Sequence, residues 1–359
     1  MRVGEPEDLH GCPRTVFGAK IMCGLIFLLI PSLLEDWGFF VSLIVHSWKE
    51  RRVIMAEIRT TLKRGILVAM IFASLCSQGI CFPLKAKDDR GKELEFKERP
   101  QRIVSLVPTE TELLFSLGLE KEVVGVTNYC DYPEAARHKE KIGGFSDVDM
   151  GKISALKPDL ILAFGTVQLP LVEKLEKRGL RVFWIYPHTV NAILDSFERV
   201  GEITGTTQEA KQLRSSVAKE LNALHETLGT IPDEKRPTVL RVMAIDPPAT
   251  IGAESFQSDI FYLAGGENAF NDVRKDYFQL DVKELIKRNP DLIVICGPDE
   301  AASKQQLKDS PVFKKLTAVK NDSVLVIPCD LTCRPGPRVA ETASRIARFL
   351  YREKFSAKP

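Results

Sequence analysis

From Arg102 onward the chain alternates two hydrophobic rhythms. Unbroken apolar runs closed by Gly, Pro or a polar residue, RIVSLVP, EVVGVT, PDLILAFG and RVFWIYP, are separated by stretches in which apolar residues recur every three or four positions, as in TETELLFSLGL and LPLVEKLEKRG. The unbroken runs are too short for helices and suit strands buried on both faces, whereas the spaced pattern suits a helix with one apolar side. The alternation therefore predicts a βα series and a parallel sheet. From about Pro237 the rhythm returns with TVLRVMAID, the helices SFQSDIFYLAG and DVKELIKRN, the runs PDLIVICG and SVLVIPCD, and a closing helix RVAETASRIARFLYREKF. Two phrases tie the halves together: KPDLILAFG from Lys157 and NPDLIVICG from Asn289, each preceded by an amphipathic stretch that the proline ends. Their separation, about 130 residues, is too long for a solenoid repeat and suits two domains built on one plan.

Between the halves, TTQEAKQLRSSVAKELNALHETLG runs from Thr206 to Gly229 with no internal Gly or Pro. As one helix it would span roughly 36 Å, a rigid strut that predicts limited closure between the lobes it joins. Capping boxes are expected at Thr109 with Glu112, Thr206 with Glu209 and Asp281 with Glu284, and Gly118 falls where the first helix should end. The expected fold class is α/β, two parallel-sheet lobes joined by one long backbone helix. The first lobe covers 100–188, the linker 189–235 with its helix at 206–229, and the second lobe 236–355.

Length and composition agree, since 359 residues with 44% hydrophobic content can supply two cores. The 50 Lys and Arg against 48 Asp and Glu leave no basic excess for nucleic acid. The first 82 residues stand apart. From Met55 a basic segment with Arg59, Lys63 and Arg64, an apolar core Ile66 to Leu75 and small residues from Ser77 to Gly79 read as a secretory signal over 55–82. Residues 1–54 contain IMCGLIFLLIPSLL, broken by Pro31 and followed by Glu35 and Asp36, and read as an over-extended start, with a membrane anchor as the alternative. A lipoprotein reading at Cys76 or Cys81 lacks the Leu-small-small pattern. Export permits disulfides among Cys130, Cys296, Cys329 and Cys333, and a bridge between Cys296 and Cys329, both at predicted strand ends, stays open. No metal site is expected, because the lone C-x3-C of Cys329 and Cys333 has no histidine nearby.

In order and at their spacing, RIVSLVPTETELLFSLGL, VTNYCDYP, KIGGFSDVDMGKISALKPDLILA, DPPATIGAESFQSDIFYLAGGENAF and CDLTCRPGPR resemble the helical-backbone substrate-binding proteins of ABC importers, and their cobalamin-binding branch above all, from about Arg99 to Phe355. The resemblance implies a ligand cleft between the lobes, docking on permease subunits in the inner membrane, a periplasmic location and a monomer without cofactors.

Ligands of parallel sheets meet the loops at the carboxyl ends of strands, where Tyr129, Phe145 and Phe164 fall in the first lobe. An aromatic cleft suits a large, flat, mostly apolar ligand, as cobalamin is. In the branch the matching positions are Tyr, Trp and Trp, so Phe145 and Phe164 replace tryptophans. The resemblance adds Met243, Tyr277 and Arg334 from the second lobe. Plainer readings stand beside these: Phe164 and Met243 as core residues, Arg334 as a surface ion pair. For docking, the resemblance implies a glutamate on each lobe. Glu254 fills the second-lobe position, Gly151 occupies the first, and Asp149 is the substitute there. No enzyme is expected: His138, His188 and His225 sit in no nucleophile or metal motif, and neither a G-x-S-x-G elbow nor a phosphate-binding glycine loop is present past the signal. Corrinoid ranks first as ligand, haem second, with Tyr129 or Tyr277 as axial ligand, and ferric siderophore third, with Arg334 and Arg274 as its only evident cleft arginines.

Overall fold

The computed structural model describes residues 82–356, so residues 1–81, which hold all of the expected leader but its last residue, lie outside the described residues. An antiparallel hairpin of β1 (Leu84–Lys87) and β2 (Glu93–Phe96) comes first, ahead of the expected lobe. The first sheet follows. It contains β3 (Ile103–Ser105), β4 (Val123–Val126), β5 (Leu160–Phe164) and β6 (Val182–Ile185), all parallel, in the order β4-β3-β5-β6. The second sheet has the same plan: β7 (Thr238–Val242), β10 (Glu267–Asn268), β12 (Leu292–Cys296) and β13 (Val324–Ile327), parallel, in the order β10-β7-β12-β13.

The repeated PDLI phrases begin β5 and β12, which hold the same place in their sheets. The surrounding atoms repeat too. Lys157 and Asn289 both turn through the left-handed region, with φ of 46° and 41°, to end the preceding helix. Asp159 then accepts the Gln101 and Arg102 amides at 2.7 and 3.0 Å, and Asp291 accepts the Thr238 amide at 2.8 Å. In each lobe the aspartate of the phrase fastens the start of its own strand to the start of the neighbouring one.

Both central strands are buried on two faces, as their unbroken apolar runs predict. Leu160 and Leu162 of β5, and Leu292 and Val294 of β12, face one shared core, while Ile161 and Ala163 face a core of the first lobe alone and Ile293 and Ile295 one of the second alone. The private cores are closed by α2 (Met150–Leu156) and α3 (Leu169–Glu176) in the first lobe, and by α7 (Val282–Arg288), α8 (Glu300–Asp309) and α9 (Thr317–Lys320) in the second. Into the shared core go α1 (Pro108–Ser116), α4 (Val190–Thr204), α5 (Thr207–Leu228), α6 (Phe256–Leu263) and α11 (Val339–Leu350). The short α10 (Cys329–Thr332) follows β13, and α12 (Arg352–Ser356) ends the described chain.

The connection is a helical hairpin rather than a lone strut. α5 spans 22 residues, about 33 Å, and α4 packs along it. Gly201 is required where they cross, because a Cβ there would come within 2.4 Å of the Ala210 Cβ. Gly205, at φ 75°, ends α4 and lets the chain reverse.

Three expected caps differ in detail. α1 starts at Pro108 with Val107 as its N-cap, two residues earlier than expected, so Thr109 caps nothing and Glu112 is released for another role. Thr206 bonds the Thr204 hydroxyl at 2.9 Å instead of an α5 amide. Asp281 does cap α7 through the Lys283 and Glu284 amides, but Glu284 turns outward to Arg288 at 2.9 Å. TVLRVMAID is likewise not one strand. β7 stops at Val242, and β8 (Ala244–Ile245), β9 (Pro248–Ile251) and β11 (Tyr277–Gln279) form a small antiparallel sheet after it. Among the described residues no helix is long and apolar enough to cross a membrane.

Candidate functional site

The lobes meet through segments that follow the carboxyl ends of their strands, where a parallel sheet presents loops rather than paired backbone. Two groups of candidate residues form there. In the first, Arg334 reaches across from the second lobe: its Nη1 donates to Glu112 Oε1 at 2.7 Å, and its Nη2 to Asp131 Oδ1 at 2.9 Å and the Tyr129 carbonyl at 3.4 Å. Arg338 grips the same Glu112 from Nε and Nη2 at 2.8 and 2.7 Å, holds Asp330 at 2.8 Å, and stacks 4.1 Å over the Tyr132 ring. Glu112 is 2% exposed, so one buried carboxylate of α1 holds two guanidiniums of the other lobe. Arg334 is therefore a bridge between lobes, which the surface-pair reading did not foresee. Its ion pairs raise its pKa further, although burial opposes them. The Tyr129 ring itself stays 59% exposed beside this bridge.

The second group is aromatic. Gln168, fully buried, accepts the Phe164 amide at 3.0 Å through Oε1 and donates through Nε2 to the carbonyls of Phe145 at 2.8 Å and Leu106 at 3.0 Å. One amide thus fixes both the end of β5 and the loop that carries Phe145. Phe164 is half-buried and meets Tyr186 edge-on, with ring centroids 5.7 Å apart. Tyr186 also contacts Trp184 at 5.4 Å and His188 at 4.4 Å. Its hydroxyl donates to the carboxylate of Asp276 in the second lobe, next in sequence to Tyr277. Burial and this anionic partner both push the Tyr186 phenol well above its ordinary pKa, so it serves as a donor.

Sequence reasoning missed Tyr186 and the residue that places it. Asp89, in the turn of the β1–β2 hairpin, accepts the Tyr186 amide at 2.6 Å and the Arg199 guanidinium at 2.5 Å. The IYP ending of β6 was the available signal, an aromatic at a strand's carboxyl end like Tyr129 and Phe164.

Tyr277 lies on β11 and Met243 at the end of β7, 59% and 44% exposed. The core reading of Met243 fails because β7 ends one residue earlier. Glu254 is exposed, one residue before the cap of α6, and its carbonyl accepts from His188 Nδ1 of the first lobe at 2.8 Å. Asp149 caps α2 by accepting the Lys152 amide at 2.9 Å, and Gly151 is exposed beside it. The four cysteines past the leader are free. Among the described residues no group of three or more His, Cys, Asp or Glu is arranged to hold a metal. A concavity of about 290 Å³ lies apart from all the candidate contacts, beside β13 and α11 at Leu325 and Arg348.

Two like sheets, a helical connection and loops that converge from strand ends define a two-lobed α/β solute-binding architecture. Solved structures share it. A possible iron-binding periplasmic solute-binding protein from Staphylococcus epidermidis matches with a TM-score of 0.62 and 26% identity over 71% of this chain and all of that one. The vitamin B12-binding protein BtuF of Vibrio cholerae matches at 0.59 and 25% over 70% and 96%. Residues 103–331 match the family model described as periplasmic binding protein, and the chain belongs to that family. Its relatives include the uncharacterized ABC transporter substrate-binding lipoprotein YvrC of Bacillus subtilis, 29% identical over 76% of this chain and 87% of that protein. The vitamin B12-binding protein of Yersinia pestis is 31% identical over 55% of this chain and 70% of that protein.

Proposed function

We propose that this protein captures a corrinoid between its lobes, outside the cytoplasmic membrane after export by the leader at 55–82, and delivers it to the permease of an ABC importer. The observation that carries this reading is the pair of exposed tyrosines, Tyr129 on a loop of the first lobe and Tyr277 at the start of β11 in the second, with the exposed Met243 beyond β7. A folded chain that leaves large apolar side chains uncovered where two lobes face each other favours a ligand with broad apolar faces. Phe145 and Phe164 extend that surface on the first lobe. The B12-binding names of two relatives support the choice of corrinoid, and the absence of catalytic motifs supports binding without turnover.

Haem is the second reading, because an exposed Tyr129 or Tyr277 is free to approach an iron axially. Siderophore ranks lower still: Arg334 is already committed to Glu112 and Asp131, which leaves Arg274 as the exposed guanidinium of the pair named above. The test is equilibrium dialysis of the purified chain against cyanocobalamin, cobinamide and haemin, with Trp184 fluorescence as a second readout. Tight, reversible, one-to-one corrinoid binding is expected. Haemin binding far more tightly than both corrinoids would overturn the assignment, and conversion of a bound corrinoid into product would overturn the reading as a receptor.

A further inference from the structure

Three thiols converge on one buried cation at the carboxyl ends of the second sheet. Cys296 ends β12, Cys329 opens α10, and Cys333 follows α10 with its Sγ 4.0 Å from that of Cys296 and 3.5 Å from Arg241 Nη2. Arg241 is 1% exposed. Its remaining donors go to Gln257 Oε1 at 3.2 Å and to the carbonyls of Val242 and Val294 at 2.5 and 3.5 Å, and among the described residues no carboxylate pairs with it. A guanidinium buried among neutral acceptors lacks a counter-charge. The strand alternation supplies one, because Cys296 is on the same face of β12 as Leu292 and Val294, the face that Arg241 shares with Val239 on the neighbouring β7. A hydrogen bond from the Cys333 thiol pulls the Cys296 thiol down to about 4, with desolvation opposing and the Arg241 charge assisting. Cys333, as the donor in that bond, is pushed up by Cys296 first and by desolvation of its sulfur second. Burial and the neighbouring Cys296 push Cys329 up to about 11. The trio is thus one thiolate flanked by two thiols.

We propose that Cys296 and Cys333 form a reactive thiol pair that closes to a disulfide by exchange with an incoming small-molecule or protein disulfide. The Cys296 thiolate attacks one sulfur of the donor and expels the other as a thiolate, leaving a mixed disulfide. Cys333 then loses its proton and attacks the Cys296 sulfur, expelling the donor's second thiolate. Two protein thiols are oxidised and one donor disulfide is reduced to two thiols. Cys329 takes no part. A thiophilic cation is the competing occupant, and the positive charge of Arg241 at the same point opposes it. The bond would tie the end of β12 to the segment 333–338, whose Arg334 and Arg338 hold Glu112 of the other lobe, so oxidation reaches the inter-lobe bridge directly.

The test takes the reduced full chain through buffers of reduced and oxidised glutathione, traps free thiols with iodoacetamide, and maps tryptic peptides by mass spectrometry. The expected oxidised product links Cys296 to Cys333 with Cys329 alkylated, and Cys329→Ser leaves it unchanged. In Cys333→Ala, which removes the hydrogen bond to the thiolate, alkylation of Cys296 near pH 6 should slow by about tenfold or more. Three results would each overturn the proposal: Cys296 alkylated at every glutathione ratio, Cys296 linked to Cys329, or unchanged alkylation in Cys333→Ala. Added Zn²⁺ that shields both thiols while no disulfide forms under oxidation would assign the pair to a metal instead.

Discussion

Side chains that stand apart in sequence decide whether the aromatic surface is usable. Phe145 is half-buried on a loop that Gln168 holds through the Phe145 carbonyl, and Tyr129 is carried on the turn whose carbonyl Arg334 holds. Tyr129→Ala and Phe145→Ala should therefore each weaken corrinoid binding by about 1–3 kcal/mol while leaving the melting temperature nearly unchanged, read by equilibrium dialysis and calorimetry. Wild-type affinity in both would remove these rings from the site. The two docking candidates differ in a way that the sequence hides. The Glu254 side chain is free of structural duties in its loop, whereas the Asp149 carboxylate already caps α2. Glu254→Arg should leave corrinoid affinity intact and lower uptake through a cognate permease. For Asp149 the informative change is Asn, which keeps the cap and removes the charge, because Asp149→Arg would also cost about 1 kcal/mol of helix stability. Tyr129 and Phe145 can be picked out as candidates from their places at a strand end and in a glycine-rich loop, whereas Met243 and Tyr277 rest on the family resemblance. Tyr186 and Asp89 were not legible, since what they do depends on partners about 90 residues or more away.

The elements followed the hydrophobic pattern wherever burial is two-sided. β5 and β12 match their runs almost residue for residue, because a strand covered on both faces leaves no position polar. The β1–β2 hairpin escaped notice, since LKAK and ELEF alternate lysine and glutamate with small or apolar residues close behind the leader. Helix α1 shows what pattern alone omits. Its Glu110 is 1% exposed with Oε2 unpartnered, and burial first, then the nearby Asp89 charge, raise its carboxyl to about 8 against the pull of Arg199. A carboxyl that keeps its proton in the fold but loses it near 4.5 when unfolded makes the native state bind more protons between those values. Its stabilising contribution is complete below about 4.5 and is lost as the pH rises through about 8, at a slope of about 1.4 kcal/mol per pH unit. Glu110→Gln should abolish that slope, so chemical denaturation at pH 5 and pH 8 should show the variant gaining stability relative to wild type at the higher pH. Equal pH dependence in both proteins would mean that Glu110 is ionised in the fold.

Across the molecule, the bridge from Glu112 to Arg334 and Arg338 and the shared hydrophobic core make one body of two similar lobes. Glu112→Gln leaves two guanidiniums facing a neutral amide in a site with little water, and should lower the unfolding free energy by about 3 kcal/mol, measured by urea titration. A change under about 0.5 kcal/mol would show that the arginines re-pair with Asp131 and Asp330 at no cost. The core beneath the α4–α5 hairpin carries a different implication. It draws Leu160 and Phe183 from one sheet, Val217 and Leu224 from the connecting helix, and Val239 and Leu292 from the other sheet into one cluster. The lobes look like duplicated modules, and each keeps a private core on one face of its sheet, but the other face is buried in the shared cluster, so neither half could be lifted out and fused to a foreign partner without exposing that seam. Descendants of such a chain would diversify by altering the loops above the strands rather than by trading whole lobes.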